Sequence, residues 1–421
     1  INPRWSTDGR RLWYRCETKR GNEFVLVDAN SGDHRPAFDH SRVADALSVA
    51  LGKKSNPHDL PFKSFDFVDG FDSIAFITEG IRWLCDLNVY ACERDRSEEA
   101  SDADQPGWPV PPNPCSVSPD KRWNVIVRDH DVFVRSSMDG SETRLTSNGE
   151  PYYDYATRPE SYLTAVTDRL SEKVLEPLAA WSPNSQKLVT HRMDQRDVRE
   201  LHLIQSVTKE AGYRPVLHTY KYAMVGDEHL PKAEIVVLDV DGSSAVYAKC
   251  SPLASPIFSP FQRHRVWWSA DSRTVYLLDQ ERDCKTLRLI AVDAQSGESR
   301  TVIEERGETP LNFNVAEYLF MLPNVRDLAT GEIVWFSERD GWGHLYLYDG
   351  ATGELKNRIT SGEWVVRDIV HIDESTRTIF FTGGGRESGR NPYYRHLYRA
   401  SLDGSDVELL TPEDAEHEIN F

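Results

Sequence analysis

Trp335-Phe-Ser-Glu-Arg-Asp-Gly-Trp-Gly-His-Leu-Tyr-Leu-Tyr-Asp349 decides the fold of this chain. Apolar and aromatic residues alternate with other residues in its second half, the period of a strand. Trp335-Phe336 closes one strand and Leu345–Tyr348 forms the next, so the stretch reads as a hairpin around Arg339-Asp-Gly-Trp-Gly343. Asp349-Gly-Ala-Thr-Gly353 then turns the chain again.

The same grammar recurs on both sides of that hairpin. Each copy opens with a Trp/Val-Ser-x-Asp/Asn-Gly/Ser turn, followed by a strand, a second strand ending near Val-Asp or Leu-Asp, a Gly turn and a third strand. Copies start at Trp5-Ser-Thr-Asp-Gly9, Val117-Ser-Pro-Asp120, Trp181-Ser-Pro-Asn-Ser185 and Trp268-Ser-Ala-Asp-Ser272. Pro presets φ for a turn, Asp or Asn bonds the backbone ahead, and Gly or Ser tolerates the bend. Seven repeats fall near 1–36, 61–95, 115–147, 151–249, 262–306, 312–361 and 364–411, and an eighth only begins at Glu418-Ile-Asn-Phe421. Repeats of roughly 45 to 60 residues made of short antiparallel strands predict an all-β fold, a β-propeller of seven to eight blades occupying residues 1–421 with its last blade incomplete. Two β-sandwiches would fit the strand content but leave the repeated Trp-Ser-x-Asp opening without a cause.

Three stretches depart from the repeat. Val43, Ala46, Leu47 and Ala50 have helical spacing and predict a helix over about 40–52. Ser97–Pro114 is acidic and then Pro-rich and reads as a mobile loop. The fourth repeat is oversized, with a non-repeating stretch at 151–178, read as helical over about 158–176, and long strands at 199–207 and 214–224.

Composition narrows the function. A net charge of −18, from 67 acidic and 49 basic residues, repels phosphate backbones and speaks against nucleic acid as a partner. No run of 18 apolar residues offers a membrane span. The six cysteines (Cys16, Cys85, Cys92, Cys115, Cys250, Cys284) include no Cys-x-x-Cys pair, and Cys85 and Cys92 stand too far from other Cys or His to suggest zinc. They read as reduced thiols of a cytoplasmic protein. The histidines show no ligand spacing, so neither a metal nor another cofactor is expected; His344 and His396, each before Leu-Tyr in a strand, read as structural.

The wording of these motifs resembles the propeller domain of dipeptidyl peptidase IV-type serine peptidases. The Ser337–Trp342 turn leading into His344-Leu-Tyr-Leu-Tyr348 carries the resemblance, with Trp181-Ser-Pro-Asn-Ser185 and His191-Arg-Met-Asp-Gln-Arg-Asp-Val-Arg-Glu200. Pro215–Pro231, Glu234-Ile-Val-Val-Leu-Asp239 and Gly383–Tyr398 add to it, the last being similar to bacterial members. The resemblance implies an eight-bladed propeller preceding an α/β-hydrolase domain, expected after Phe421 in the parent protein. That domain would carry the serine nucleophile on a Gly-x-Ser-x-Gly elbow. No such elbow occurs here, since Gly242-Ser-Ser-Ala and Gly140-Ser-Glu are ordinary turn residues, and no Ser-Asp-His triad can be assembled. The chain is therefore expected to hydrolyse no peptide alone.

What the resemblance assigns to the propeller is access and recognition. Short or unstructured peptides pass, and acidic side chains hold the free N-terminal ammonium, which sets the cut two or three residues from the end, after Pro or Ala. A family Glu-Glu pair precedes the Trp-Ser-Pro turn of the fourth blade, but Tyr152–Leu178 holds no adjacent Glu pair. Glu160, in Arg158-Pro-Glu-Ser-Tyr162, is the leading substitute, with Glu172 and Glu176 as alternatives closer to Trp181 and Asp154 as a weaker one. Pro159 followed by Glu160 also suits a plain helix start. The implied partners are a peptide with a free N-terminus, the hydrolase domain of the same polypeptide and a second copy in a homodimer, with Leu201–Tyr222 in the position of a dimer arm. Arg386 and Glu387 read as part of an ordinary hairpin loop, and Arg390–Arg395 as a stretch that could face the hydrolase domain. The alternative reading is a free-standing propeller that binds a protein or peptide.

Overall fold

The repeated opening turn folds the same way in every copy. Ser6 Oγ donates to Asp8 Oδ1 at 2.6 Å, Ser118 to Asp120 at 2.6 Å, Ser182 to Asn184 at 2.7 Å and Ser269 to Asp271 at 2.6 Å. That carboxylate or amide oxygen also accepts the backbone N–H of Arg10, Arg122, Gln186 or Arg273 two residues on. The serine oxygen accepts the N–H that opens the strand, from Arg11, Trp123, Lys187 or Thr274. One short side chain thus replaces the backbone partners lost at the bend.

The computed structural model describes residues 3–6, 8–78, 81–95, 117–162, 175–206, 214–316 and 322–419. The chain divides into two compact units, Ile1–Trp108 and Pro109–Ile419. The first holds two antiparallel four-stranded meanders, Arg4–Trp5 to His34–Pro36 and Asp66–Val68 to Ala91–Arg94, joined by helix α1, His40–Leu51. Asp39 caps α1 by accepting the N–H groups of Ser41 and Arg42, and Gly52, at φ 68°, ends it. Val43 and Leu47 of α1 share a core with Trp13, Phe24, Phe65 and Ile74 of the two sheets.

The second unit holds a three-stranded sheet (Trp123–Arg128 to Glu142–Arg144), a six-stranded sheet between Tyr153 and Ala254, and a two-stranded arm (Glu200–Gln205 with Val216–Lys221). Three four-stranded meanders follow, Val266–Trp268 to Ser299–Arg306, Arg326–Asp327 to Leu355–Arg358, and Val365–Asp373 to Glu408–Leu409. Apart from the arm, the described sheets fall one to each repeat read in the sequence.

Their cores are seams between consecutive sheets. In the hairpin that opened the sequence reading, Glu332–Ser337 pairs with His344–Asp349, Trp335 opposite Tyr346 and Phe336 opposite Leu345. Ile333, Trp335, Tyr346 and Tyr348 pack on Leu287, Leu289 and Ile303 of the preceding sheet. The alternate residues, Val334, Phe336, Leu345 and Leu347, pack on Val366, Phe381 and Tyr398 of the following one. Both faces of this sheet are buried, so its strands are apolar and aromatic at almost every position. Glu305, 8% exposed, ties the seam by accepting from Trp335 Nε1 at 2.7 Å, Ser337 Oγ at 2.5 Å and Arg339 Nη2 at 2.9 Å. His344 is structural, with Nδ1 3.0 Å from Thr360 Oγ1 and Nε2 2.9 Å from the Gly362 carbonyl oxygen. Arg386 lies 5.3 Å over the Tyr398 ring and Glu387 accepts from the Tyr398 hydroxyl at 3.1 Å, so this charged pair serves its own sheet.

One expectation needs correction. Cys85 and Cys92 are not reduced thiols but a disulfide, facing each other across the pair Ile81–Asp86 and Ala91–Arg94 with Cα atoms 4.1 Å apart. Hairpin register, which sequence spacing alone does not reveal, brings them opposite each other. The helix read over about 158–176 falls mostly on residues 163–174, outside the described residues. Pro159–Tyr162 is a turn closed by Tyr162 N–H to the Pro159 carbonyl at 3.0 Å, and 175–178 is also non-helical. The Glu160 N–H is taken by the side chain of Gln195, just past the end of the strand Lys187–Asp194. Residues 163–174, including Glu172, Ser97–Pro114 and the last two residues of Glu418–Phe421 lie outside the described residues.

Candidate functional site

The fourth repeat breaks the pattern at its edge strand. Tyr153–Tyr155 and Ala179–Trp181 both pair antiparallel with the single strand Lys187–Asp194, Tyr155 opposite Arg192 and Ala179 opposite Thr190. They are two halves of one strand, and residues 157–177 form an excursion between them. The halves meet where Leu178 N–H donates to the Ala156 carbonyl at 2.8 Å and Ala156 N–H to the His191 carbonyl at 2.9 Å. Ala156 turns the chain outward at φ 55°, a left-handed conformation rarely taken by a residue with a Cβ.

Glu160 lies on this excursion and is half-buried. Its N–H donates to Gln195 Oε1 at 2.8 Å, and its Oε2 accepts the N–H of Lys221 at 2.7 Å. The neighbouring Ser161 is buried and donates to the Pro256 carbonyl. Tyr162 meets the Phe258 ring edge-on at 5.7 Å, while Arg158 lies 4.2 Å over Tyr162 and Arg263 5.0 Å over Phe258. Pro256, Phe258 and Arg263 also line a cleft of about 420 Å³ whose other walls include Ala223–Gly226 and Asp279–Arg282.

Asp154 sits in the strand just before the excursion. Its Oδ1 is buried with no hydrogen-bond partner among the described residues, as are Thr157 Oγ1 and His191 Nδ1. Burial pushes the Asp154 carboxyl up to about 6, and the charge of Glu160 adds to the rise. His191 Nε2 lies 2.6 Å from the Thr157 carbonyl oxygen, and burial pushes its imidazole down to about 4, so it is neutral at pH 7. Beneath them, Glu234 Oε2 accepts from Tyr153 Oη at 2.8 Å and from Arg192 Nε and Nη2 at 3.0 and 2.9 Å. Two guanidinium groups, Arg192 at 3.8 Å and Arg196 at 3.7 Å, stack on the Tyr153 ring.

Of the sequence candidates, Glu160 and Asp154 fall on one region and interact electrostatically. Glu176 is exposed on the returning segment, and Glu172 is outside the described residues. Gln195 and Lys221 were missed as partners of Glu160, although Gln195 belongs to the His191–Glu200 signature and Lys221 to the long strand after it. Chemically, two carboxyl groups with limited access to water suit a small cation such as an ammonium group.

Residues 86–421 match the family model for the dipeptidyl peptidase IV N-terminal region. The chain belongs to that family. Curated relatives include a probable dipeptidyl-aminopeptidase B of Botryotinia fuckeliana, 23% identical over 316 residues, covering 72% of this chain and 33% of the relative. Another is a dipeptidyl peptidase 4 of Arthroderma otae, 25% identical over 303 residues, covering 69% and 36%. The chain thus spans about a third of the length of these curated relatives. Among solved structures, Porphyromonas gingivalis dipeptidyl peptidase 4 superposes with a TM-score of 0.57 at 18% identity, over 98% of this chain and 53% of that one. A putative dipeptidyl aminopeptidase IV from Bacteroides ovatus gives 0.53 at 14% identity, over 97% and 53%. These two likenesses concern the fold.

Proposed function

We propose that this chain is the non-catalytic propeller of a serine exopeptidase that releases short N-terminal peptides after Pro or Ala. In the whole protein an eight-bladed ring restricts access to a hydrolase domain of the same polypeptide, and Glu160 anchors the substrate's free ammonium. The observation that carries the reading is the half-buried Glu160 carboxylate, on an excursion that breaks the edge strand in the one repeat where the family places its amine-binding acids. A carboxylate with little water around it favours an ammonium strongly and leaves an internal amide unsatisfied, so recognition stops at the chain end. Exposed apolar side chains on the arm, Leu203, Ile204 and Leu217, support a homodimer, and exposed Tyr393 supports Arg390–Arg395 as a surface toward the hydrolase domain.

The deciding substitution is Glu160→Gln in the full-length enzyme, which keeps size and hydrogen bonding and removes charge. Charge-assisted bonds exceed neutral ones by about 1–2 kcal/mol and scarce water pushes that upward, so kcat/KM on free-amino peptides should fall roughly ten- to a hundredfold while N-blocked peptides hardly change. Equal losses on both would reduce Glu160 to a structural residue. For the setting, the Cys85–Cys92 disulfide supports an oxidising compartment in place of the cytoplasmic one read from the sequence, because cytoplasmic thiols are kept reduced. Thiol labelling of protein unfolded without reductant should leave Cys85 and Cys92 unmodified; labelling of both would restore the cytoplasmic reading.

A further inference from the structure

We infer that the arm formed by Glu200–Gln205 and Val216–Lys221 positions Glu160, so that whatever displaces or docks on the arm tunes affinity at that carboxylate; this rests on the proposed amine-binding role of Glu160. Two hydrogen bonds of Glu160 reach the arm, one at each root. Gln195, just before the first strand of the arm, accepts the Glu160 N–H at 2.8 Å, and Lys221, at the end of the second, donates its N–H to Glu160 Oε2 at 2.7 Å. The bond from Lys221 fixes the carboxylate and the bond to Gln195 fixes the backbone that carries it.

The roots are laced to each other and to the edge strand. Gln195 is 2% exposed and donates its own N–H to the Tyr152 carbonyl at 2.8 Å. Lys221 Nζ donates to the carbonyls of Val198 at 2.9 Å and Arg196 at 3.3 Å and lies 5.0 Å over the Tyr152 ring. Tyr222 N–H closes the base on the Arg199 carbonyl at 2.9 Å. Beyond these roots the arm is a lone two-stranded ribbon with exposed apolar side chains, Ile204 at 69% and Leu217 at 61%. Such a ribbon is marginal in isolation, so its conformation follows what it touches and the roots transmit the change. Coupling of this kind is reciprocal: a ligand at Glu160 must be felt at Lys221.

The test titrates the full-length protein with Ala-Pro and with N-acetyl-Ala-Pro. Gln195→Met keeps the bulk of the side chain and removes the acceptor. It should weaken Ala-Pro binding roughly fivefold, the worth of one net hydrogen bond, and leave the acetylated peptide unchanged. In the parent chain, Ala-Pro should alter hydrogen exchange at the Lys221 amide and the acetylated peptide should not. If Gln195→Met binds Ala-Pro like the parent while Glu160→Gln loses it, the positioning role is overturned and the amine site stands. If Glu160→Gln itself binds normally, the amine site is overturned and the inference with it. Should Gln195→Met fail to fold, the parent chain's Lys221 amide decides, and exchange there that ignores Ala-Pro refutes the coupling.

Discussion

The sheet built on Trp335–Asp349 and the sheet whose broken edge strand leads to Glu160 are two copies of one repeat pattern and solve opposite problems. In the first, strand Glu332–Ser337 is buried at every position, wedged between neighbouring sheets that take alternate side chains. In the second, the edge strand leaves its sheet at Ala156 and returns at Leu178, and its polar groups include three buried atoms without a hydrogen-bond partner among the described residues. Regular repeats satisfy their backbone and bury their side chains, which maximises stability. The regular sheet also buries Glu305 but pairs it with three donors, whereas the broken one leaves Asp154 Oδ1 buried with no hydrogen-bond partner among the described residues, a costly arrangement that structure alone does not reward.

The sharpest way to break this contrast is to truncate one aromatic in each region. Trp335 is fully buried and donates to Glu305, so Trp335→Ala should cost about 3–5 kcal/mol in urea unfolding. Tyr162 on the excursion is half-buried against Phe258, and Tyr162→Ala should cost about 1 kcal/mol. Comparable losses would mean that the excursion is as much a part of the core as the hairpin.

A second, smaller effect is read in pH. The carboxyl of Asp154 is raised to about 6 by burial against an ordinary value of 3.8, so the folded state holds this proton more tightly than the unfolded one. Its contribution to stability is therefore greatest at low pH and is lost as pH rises from about 4 to about 6. Asp154→Asn should remove that loss and stabilise the protein by about 1–3 kcal/mol at pH 8 relative to pH 4, since one pKa unit is worth about 1.4 kcal/mol. In the regular sheet the sign reverses. Glu332 is held down at about 2 by Arg377 first, with Lys356 and Thr330 adding to it, so its stabilisation is present above about 4.5 and lost as pH falls toward 2. Urea midpoints at pH 4 and pH 8 that do not distinguish parent from Asp154→Asn would place Asp154 in water.

The smallest effect belongs to the arm. Ile204→Ser touches an exposed side chain and should change stability by less than about 0.5 kcal/mol. If the arm joins two copies of the full-length enzyme, sedimentation of that same variant should show weakened self-association. Unchanged association would assign dimer formation elsewhere.

Much of this was legible from residues alone. The Ser-x-Asp/Asn openings specify their turns through bonds made within five residues, so the structure repeats them as read at Ser6, Ser118, Ser182 and Ser269. Helix α1 was legible from the helical spacing of Val43, Ala46, Leu47 and Ala50, a signal carried within the segment itself. The alternation in Trp335–Tyr348 fixed strand and hairpin, because a period of two permits little else. What the sequence left open depends on partners far along the chain. Cys85 meets Cys92 only once hairpin register is set. Glu160 gives its N–H to Gln195, 35 residues on, and its carboxylate is fixed by Lys221, 61 residues on. The family resemblance marked the acids of Tyr152–Leu178 as candidates, but burial and long-range hydrogen bonds determine which of them stand together, and those exist only in the folded chain.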